Sequence, residues 1–308
     1  MKILITGGTG NIGQYVTLKA LENGHEAVVL SRDPSKYPSL AKKTELVKGH
    51  ITDYEKMAEY VKNCDAVIHI ALGWGNEPVS MLTNDTATTV NLLETAEKAG
   101  VGKFIYTSST AAMGHFRVVM DETVMNLPTD LYGSTKSASE AYVLGFCKYY
   151  GDGGAVSMKR NIIRPGYTYS NPPYADGSSQ ADTRFRDIAR AVVNNQPVNV
   201  TKYDGTQFIS SGEIAKLYIA LLESDKNEEV YLALGNRFTS WERIAEIALE
   251  EYSASSSVIN AADKGWDPVP GLYNVSKMER DFGLSFDNQN DLREHIKWNL
   301  EQARVQHV

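Results

Sequence analysis

Apolar and polar residues alternate along the first half of the chain in the pattern of a parallel sheet covered by helices. Short apolar runs predict strands, and the segments between them repeat apolar residues at helical spacing. The predicted strands are Ile3–Thr6, Ala27–Ser31, Leu46–Lys48, Ala66–Ile70, Phe104–Ser108 and Met158–Arg164. The predicted helices are Asn11–Asn23, Tyr54–Asn63, Asn84–Ala99 and a helix from near Tyr132 to about Tyr150. This alternation predicts an α/β fold with a doubly wound, Rossmann-type parallel sheet.

The pattern changes after Arg164-Pro-Gly166. Turn-forming residues over Asn171–Ser179 predict an exposed loop that could lie over a site. A helix at Glu213–Ser224 and a strand at Val230–Leu234 are expected to return to the first sheet. We therefore expect a nucleotide-binding domain formed by residues 1–166 together with about 207–235. A smaller C-terminal substrate-binding region would consist of residues 167–206 and 236–308.

The composition of the chain says more about its possible binding partners than about its fold. The 308 residues are 42% hydrophobic and carry a formal net charge of −7, which argues against nucleic-acid or anionic-membrane binding. No apolar run approaches the ~20 residues that cross a bilayer. The two cysteines, Cys64 and Cys147, have no metal-ligand spacing, so we expect no metal site and a location in a reducing cytoplasm.

A glycine-rich turn follows the first predicted strand and opens the first predicted helix, with the sequence Gly7-Gly-Thr9-Gly10-Asn11-Ile12-Gly13. Glycines permit a tight turn and a close approach of a pyrophosphate, whose charge is met by free N–H groups and the helix dipole. The alternative is a glycine-rich turn without a ligand. The setting between strand and helix at the start of the chain favours a dinucleotide site.

The end of the second predicted strand bears on the choice of cofactor. An acidic residue there binds the ribose hydroxyls of NAD, whereas an arginine accommodates the 2′-phosphate of NADP. Here Ser31 takes the place of the acid, Arg32 follows it, and Lys36 is close enough in sequence to approach the same phosphate. NADP(H) is therefore favoured over NAD(H). The alternative is that Arg32 only stacks on adenine and the site accepts NAD(H).

Tyr132 and Lys136 lie four residues apart in a predicted helix and so share one of its faces. A phenol ionises near pH ~10, and a nearby ammonium favours the phenolate, which suits the pair to acid–base work. Ser109 ends the preceding serine-rich strand. The spacing Tyr-x-x-x-Lys is common by chance, but its combination with Ser109 and the glycine turn predicts an enzyme.

With these motifs the chain resembles the extended short-chain dehydrogenase/reductase family, in its NAD(P)-dependent epimerase/dehydratase branch. The resemblance extends over most of the chain and is specific for the family rather than for a substrate. It rests on Gly7–Gly13, Ala66–Ala71, Asn84, Tyr106–Ser109, Tyr132–Lys136, Arg164–Gly166, Tyr273–Lys277, Phe282–Leu284 and Ile296–Trp298.

The resemblance implies roles for individual residues. Tyr132 is expected to exchange a proton with the substrate oxygen, Ser109 to donate a hydrogen bond to that oxygen, and Lys136 to favour the phenolate and hold the nicotinamide ribose. Hydride then moves between nicotinamide and the substrate carbon. The expected cofactor-binding residues are Gly7, Thr9, Gly10, Asn11, Ile12, Gly13, Ser31, Arg32, Lys36, His50, Ile51, Ile70, Ala71, Leu72, Asn84, Tyr132, Lys136, Pro165 and Gly166.

Departures from the family pattern narrow the range of reactions and substrates that we expect. Thr110-Ala-Ala112 stands where sugar dehydratases carry an acidic pair, so dehydration is disfavoured. Nucleotide-sugar enzymes of the family usually carry an arginine after an Asp-Gly-x-Gln segment, but here Asp204–Gln207 leads into Phe208. Arg184, Arg186 and Arg237 either compensate or are solvated surface charges.

We expect an oxidoreductase that acts on a hydroxyl or carbonyl carbon of a sugar-derived or small ketone substrate. Two alternatives stay open. One is a nucleotide-sugar epimerase with tightly bound NAD, and the other is an NADP(H)-sensing regulatory protein without turnover. The resemblance also implies a homodimer formed through the helix of Tyr132 and its neighbour, Asn84–Ala99.

Overall fold

A seven-stranded parallel sheet forms the centre of the protein. The computed structural model describes residues 1–146 and 157–305. The strands are β1 (Lys2–Thr6), β2 (Glu26–Ser31), β3 (Glu45–Lys48), β4 (Ala66–His69), β5 (Lys103–Thr107), β6 (Lys159–Pro165), β7 (Thr168–Tyr169), β8 (Val198–Thr201), β9 (Gly205–Thr206), β10 (Ile209–Ser210), β11 (Glu229–Ala233), β12 (Thr239–Ser240) and β13 (Ile259–Ala262). The central sheet has the order β11-β6-β5-β4-β1-β2-β3, with every neighbouring pair parallel. The predicted Rossmann-type α/β fold is confirmed.

Helices cover both faces of this sheet. They are α1 (Asn11–Glu22), α2 (Pro38–Ala41), α3 (Tyr54–Val61), α4 (Pro78–Met81), α5 (Ala87–Lys98), α6 (Leu131–Gly145), α7 (Arg184–Val193), α8 (Ser211–Glu223), α9 (Trp241–Glu251), α10 (Ser276–Phe282) and α11 (Gln289–Val305). Apolar residues of α1 and α8 pack on one face, and those of α3, α5 and α6 pack on the other. The strand order reverses between β1 and β4, and the crevice at such a point is where doubly wound sheets bind ligands.

Most predicted boundaries lie within a few residues of the observed ones, but the helix predicted at Asn84–Ala99 differs. The chain is already helical from Pro78, and Leu82–Thr86 forms a π-helical turn before α5. A π turn contains one residue more than an α turn and changes which side chains face the core. The part of the predicted Tyr132 helix beyond residue 146 lies outside the described residues.

The second half of the chain forms a separate apolar cluster beside the sheet. Helices α7, α9 and α11 contribute most of its buried residues, including Phe185 and Trp241. Three short strand pairs, β7 with β10, β8 with β13 and β9 with β12, accompany these helices. By contrast, α8 packs against α1 and β11 joins the central sheet beside β6. The segment around residues 207–235 therefore contributes a helix and a strand to the layers of the central sheet.

Candidate active site

One continuous cleft runs along the carboxyl edge of the central sheet. It consists of a cavity of about 470 Å³ near the glycine turn and a cavity of about 150 Å³ near Tyr132. The two cavities share the lining residues Ile12, Ile70, Leu72 and Thr168. A single elongated ligand can therefore contact both ends of the cleft.

The glycine turn is built so tightly that side chains at two of its positions do not fit. Gly7 has a φ of 73°, and a Cβ there would lie 2.6 Å from the backbone nitrogen of Ala71. A Cβ at Gly13, in the first turn of α1, would overlap the carbonyl oxygen of Gly7. The backbone of β1, the turn and α1 therefore pack directly together, and the N-terminus of α1 faces the cleft. This cradle matches the requirements of a pyrophosphate.

Ser31 and Arg32 line the far end of the larger cavity, where β2 ends. The Ser31 hydroxyl is buried and has no hydrogen-bond partner within the described residues. Arg32 is exposed and forms no ion pair with any residue of the described ranges. Lys36 does not line the cleft, because the short 3₁₀ turn Pro34–Lys36 directs its ammonium to 3.8 Å from the Asp33 carboxylate.

Thirteen of the residues expected to bind cofactor line the larger cavity together. They are Gly7, Thr9, Gly10, Asn11, Ile12, Gly13, Ser31, Arg32, His50, Ile51, Ile70, Ala71 and Leu72. Five further site residues line the smaller cavity, namely Ser109, Tyr132, Lys136, Pro165 and Gly166. Lys36 and Asn84 are the two members of the expected set that line neither cavity.

Local structure fixes the position of Tyr132 beside Ser109. The Asp130 carboxylate caps α6 by accepting a hydrogen bond of 2.6 Å from the Gly133 N–H. Gly133 lies so close to the 3₁₀ turn after Ser109 that a Cβ there would overlap the Ala111 carbonyl oxygen. The start of α6 is thus held against the segment that carries the serine, and both side chains face the same small cavity.

Lys136 lies at the floor of this cavity with only 3% of its surface exposed. Its ammonium is 3.4 Å from the carboxylate of Asp85, 5.1 Å from the ring centre of Tyr106 and 6.0 Å from that of Tyr132. His69 is buried beneath them and bonds to the hydroxyls of Thr6 and Thr89. Burial lowers the pKa of His69 to about 3, and the Lys136 charge acts in the same direction, so the imidazole is neutral.

Asp85, which the sequence analysis did not single out, is the residue of this segment that reaches the site. The π-helical turn directs Asp85 inward, whereas the Asn84 amide donates a hydrogen bond of 3.1 Å to the Trp74 carbonyl. The sequence pattern predicts a regular α-helix here, and its period does not indicate the additional residue of the π turn. The available signal was a charged residue within a stretch of buried positions that otherwise carry threonine, leucine or alanine.

The predicted loop Asn171–Ser179 lies against the glycine turn. The Ser178 hydroxyl donates a hydrogen bond of 2.7 Å to the Thr9 carbonyl, and the Gln14 side chain bonds to the Ser178 backbone. The next residues, Gln180 and Ala181, line the larger cavity. Sequence reasoning identified the loop but not these two lining residues.

A further cavity of about 790 Å³ lies in the C-terminal region, between α7, β8, β13 and Trp241. Arg184 lines it, but its guanidinium pairs with Asp182 at 2.8 Å and lies 4.3 Å from the ring centre of Trp241. Phe208, which stands where nucleotide-sugar enzymes usually carry an arginine, is buried. Gln207 is also buried, and it bonds to the backbone of Gly235 and Tyr273.

The described residues contain neither a candidate membrane-spanning helix nor a candidate metal site. In residues 1–146 and 157–305, no helix has both the length and the apolar character needed to cross a membrane. Over the same ranges, no three histidine, cysteine or acidic side chains come together as a possible metal site.

Comparisons with known proteins agree with this geometry. A model of the NAD dependent epimerase/dehydratase family matches residues 3–233. A 3-beta-hydroxysteroid dehydrogenase of Mycolicibacterium neoaurum is 32% identical over 182 residues, which cover 53% of this chain and 46% of that protein. The "Putative UDP-glucose 4-epimerase" of Methanocaldococcus jannaschii is 26% identical and covers 96% of both chains.

Solved structures extend the similarity in fold to the whole chain. The UDP-glucuronic acid 4-epimerase from Bacillus cereus in complex with NAD has a TM-score of 0.81 at 21% identity and covers 100% of both chains. The UDP-glucose 4-epimerase from Thermotoga maritima with UDP-glucose has a TM-score of 0.79 at 23% identity, again with full coverage. The match to the hydroxysteroid dehydrogenase, in contrast, spans about half the length of that relative.

Proposed function

The chain belongs to the NAD dependent epimerase/dehydratase family, and from that premise we propose that it is an NAD(P)-dependent oxidoreductase. Its substrate reacts at a carbon that carries a hydroxyl or carbonyl group. One observation carries the proposal: Ser109, Tyr132 and Lys136 line a single small cavity that continues into the cleft of the glycine turn. A regulatory protein that only senses the dinucleotide has no need of this second cavity.

In the proposed reaction each of the three residues has a separate task. The Tyr132 phenolic oxygen takes the proton from the substrate hydroxyl during oxidation and returns it during reduction. The Ser109 hydroxyl donates a hydrogen bond to the same substrate oxygen. The Lys136 ammonium favours the phenolate and holds the ribose next to the nicotinamide. The bound nicotinamide supplies or accepts the hydride.

We also propose that the cofactor preferred is NADP(H). Arg32 lines the end of the cleft beyond the glycine turn, is exposed, and has no carboxylate partner in the described parts of the chain. A 2′-phosphate would give its guanidinium a charge-assisted partner. Several proteins of the same fold have been solved in complex with NAD, so the two dinucleotides need a direct comparison.

Arg32→Ala is expected to weaken NADPH binding by about 10–100-fold, the equivalent of one charge-assisted contact of about 1.5–3 kcal/mol. NADH binding should change little, because NADH carries no 2′-phosphate. Calorimetric titration of both cofactors measures the difference. Lys36→Ala is the matched control, since Lys36 is a neighbouring cation that does not line the cleft. Equal losses for NADH and NADPH would contradict the proposed preference.

For the substrate, we propose a free sugar or a small ketone rather than a nucleotide sugar. We propose residues 167–206 and 236–308 as the substrate-binding region, which contains the 790 Å³ cavity. Two acidic side chains, Asp187 and Asp204, line that cavity together with Lys264 and with Arg184, which is already paired with Asp182. Its lining is therefore mixed in charge, and the buried Phe208 stands where nucleotide-sugar enzymes of the family usually carry an arginine. A turnover screen should also contain 3β-hydroxysteroids, in view of the hydroxysteroid dehydrogenase relative.

Nucleotide-sugar epimerisation is the second candidate function. It is favoured by the relative from Methanocaldococcus jannaschii, which matches this chain over 96% of both lengths. An epimerase regenerates its cofactor within each turnover and has no need to release it. Analysis of the nucleotide released from denatured protein separates the two candidates, because tightly retained NAD is expected only of the epimerase.

We further propose a homodimer, formed through α6 and the segment that leads into α5, in a reducing cytoplasm. Val79, Leu82 and Tyr142 are large apolar or aromatic side chains of this surface, and each is more than half exposed. Cys64 is a buried free thiol.

Tyr142→Arg is expected to convert the dimer into a monomer, because it places a charge at the proposed interface. Light scattering coupled to size-exclusion chromatography measures the mass. Tyr54→Arg, at an exposed position of α3, is the control and should leave the mass unchanged. A monomeric wild-type protein would contradict the proposed assembly.

A further inference from the structure

Asp85 is a fully buried carboxylate that the proposed chemistry does not yet use. Its exposure is 0%, and its Oδ1 accepts a hydrogen bond of 2.9 Å from the Gly73 N–H. Its Oδ2 accepts no hydrogen bond from the residues that the structure describes, yet lies 3.4 Å from the Lys136 ammonium. The carboxylate and the ammonium thus form an ion pair in which both side chains are almost completely buried.

The local backbone is built to hold Asp85 in this place. Asp85 lies in the π-helical turn Leu82–Thr86, and π turns occur often at functional sites. Thr88 and Thr89 each donate a hydroxyl hydrogen bond of 2.9 Å to the Asp85 carbonyl. Gly73 packs so closely on this turn that a Cβ would overlap the Asn84 carbonyl oxygen. The chain can therefore bring its Gly73 N–H within reach of the carboxylate.

The other polar groups near the pair are uncharged or already paired with another residue, so Asp85 is the counter-ion of Lys136. His69, from β4, is neutral at ordinary pH because burial lowers its pKa to about 3. Tyr106, from β5, and Tyr132, from α6, present phenols to the ammonium. Glu140, farther along α6, is occupied by Arg164 of β6 through two hydrogen bonds of 2.8 and 2.7 Å.

Removal of one member of a buried ion pair leaves an uncompensated charge, which is far more costly than removal of both. A fixed anion beside a proton-transfer group also opposes a second negative charge nearby. The buried pair therefore couples the two side chains, since removal of either one would leave the charge of the other without a partner.

We propose that Asp85 is a positioning residue that holds Lys136 as a cation beneath Tyr132 and sets the pH range in which Tyr132 transfers protons. The second half of this statement rests on the proposed function, whereas the ion pair itself does not. Asp85 itself lines neither cavity and acts through Lys136.

A double-mutant cycle on thermal stability tests the ion pair without any turnover. Asp85→Asn should lower the melting temperature, because it orphans the Lys136 charge in a buried site. Lys136→Met in the Asp85→Asn background should then restore part of the loss. The pair is refuted if the two substitutions lower the melting temperature additively. An Asp85→Asn protein that fails to fold, while the double variant folds, also supports the pair.

A pH titration tests the effect on Tyr132, again without substrate. The ultraviolet absorbance of phenolate is recorded for wild type and for Tyr132→Phe, and the difference reports Tyr132 alone. The same difference in absorbance is then recorded between the Asp85→Asn protein and the double variant that carries Asp85→Asn and Tyr132→Phe. The midpoint should move to lower pH by about one unit, because one nearby negative charge is removed.

Two controls separate this role from a structural one. Thr88→Val removes the hydroxyl hydrogen bonds to the Asn84 and Asp85 carbonyls of the same turn without a change in charge and should leave the midpoint in place. Asp85→Glu keeps the charge and should keep the midpoint close to that of wild type. An unmoved midpoint in Asp85→Asn would overturn the proposed role. Failure to find any oxidoreductase activity would refute the proposed function but not the result of either titration or cycle.

Discussion

Tyr132→Phe is expected to lower kcat by about 10²–10⁴-fold, the range that a single proton-transfer group contributes. Phenylalanine keeps the ring and its packing near Trp74, whose ring centre lies 6.5 Å away, but has no proton to exchange. The glycine turn and the far end of the cleft are untouched. Cofactor affinity should therefore stay within a few-fold of that of wild type, and steady-state kinetics with calorimetry measures both quantities.

Tyr142→Phe is the matched control, because Tyr142 lies ten residues farther along the same helix and is 53% exposed. Its loss of a hydroxyl should leave kcat unchanged. If Tyr132→Phe turned over at the wild-type rate with cofactor still bound, the assignment of the proton-transfer residue would be wrong. A loss of cofactor binding in the same variant would instead indicate a structural role.

Gly13→Ala is expected to weaken binding of both dinucleotides by about 100-fold. The added Cβ would overlap the Gly7 carbonyl oxygen and crowd the Gly8 Cα, both of which are backbone atoms of the turn. The turn must move away from α1, and its N–H groups lose their alignment with a pyrophosphate. The loss of two charge-assisted hydrogen bonds of about 1.5 kcal/mol each corresponds to that factor.

Gly145→Ala provides the comparison for this prediction. Gly145 is the last residue of α6, and a Cβ there would meet no atom of residues 1–146 or 157–305 within 4 Å. The variant should bind cofactor as wild type does and gain slightly in stability, since alanine favours a helix. Circular dichroism of the Gly13→Ala protein must show a folded chain. Wild-type affinity in a folded Gly13→Ala protein would exclude the glycine turn as the pyrophosphate site.

The motifs at the two ends of the cleft owe their positions to short-range geometry, which a sequence pattern can record. A strand, a glycine turn and a helix start define the position of Gly7 and Gly13 within one local unit. Tyr132 and Lys136 share a face because their spacing is that of a helix. Local period and turn chemistry are enough to place such residues.

The positions of side chains differ from the sequence-based expectation where the backbone departs from a regular period. Lys36 was expected in the cleft, but a 3₁₀ turn carries it to Asp33. Asn84 was expected there too, and a π turn brings in Asp85 instead. Gln180 and Ala181 reach the cleft only because Ser178 bonds to the distant glycine turn. That contact joins residues far apart in the chain, which no local pattern records.

The most direct test of the account is a determination of which nicotinamide dinucleotide the purified protein carries or binds. The protein is denatured, the released nucleotide is identified, and the nucleotide-free protein is titrated with NADPH and NADH. The account predicts a largely empty protein that binds NADPH more tightly than NADH. Near-stoichiometric NAD(H) would favour the epimerase and overturn the interpretation of Arg32. A protein that neither carries nor binds either dinucleotide would contradict the central claim.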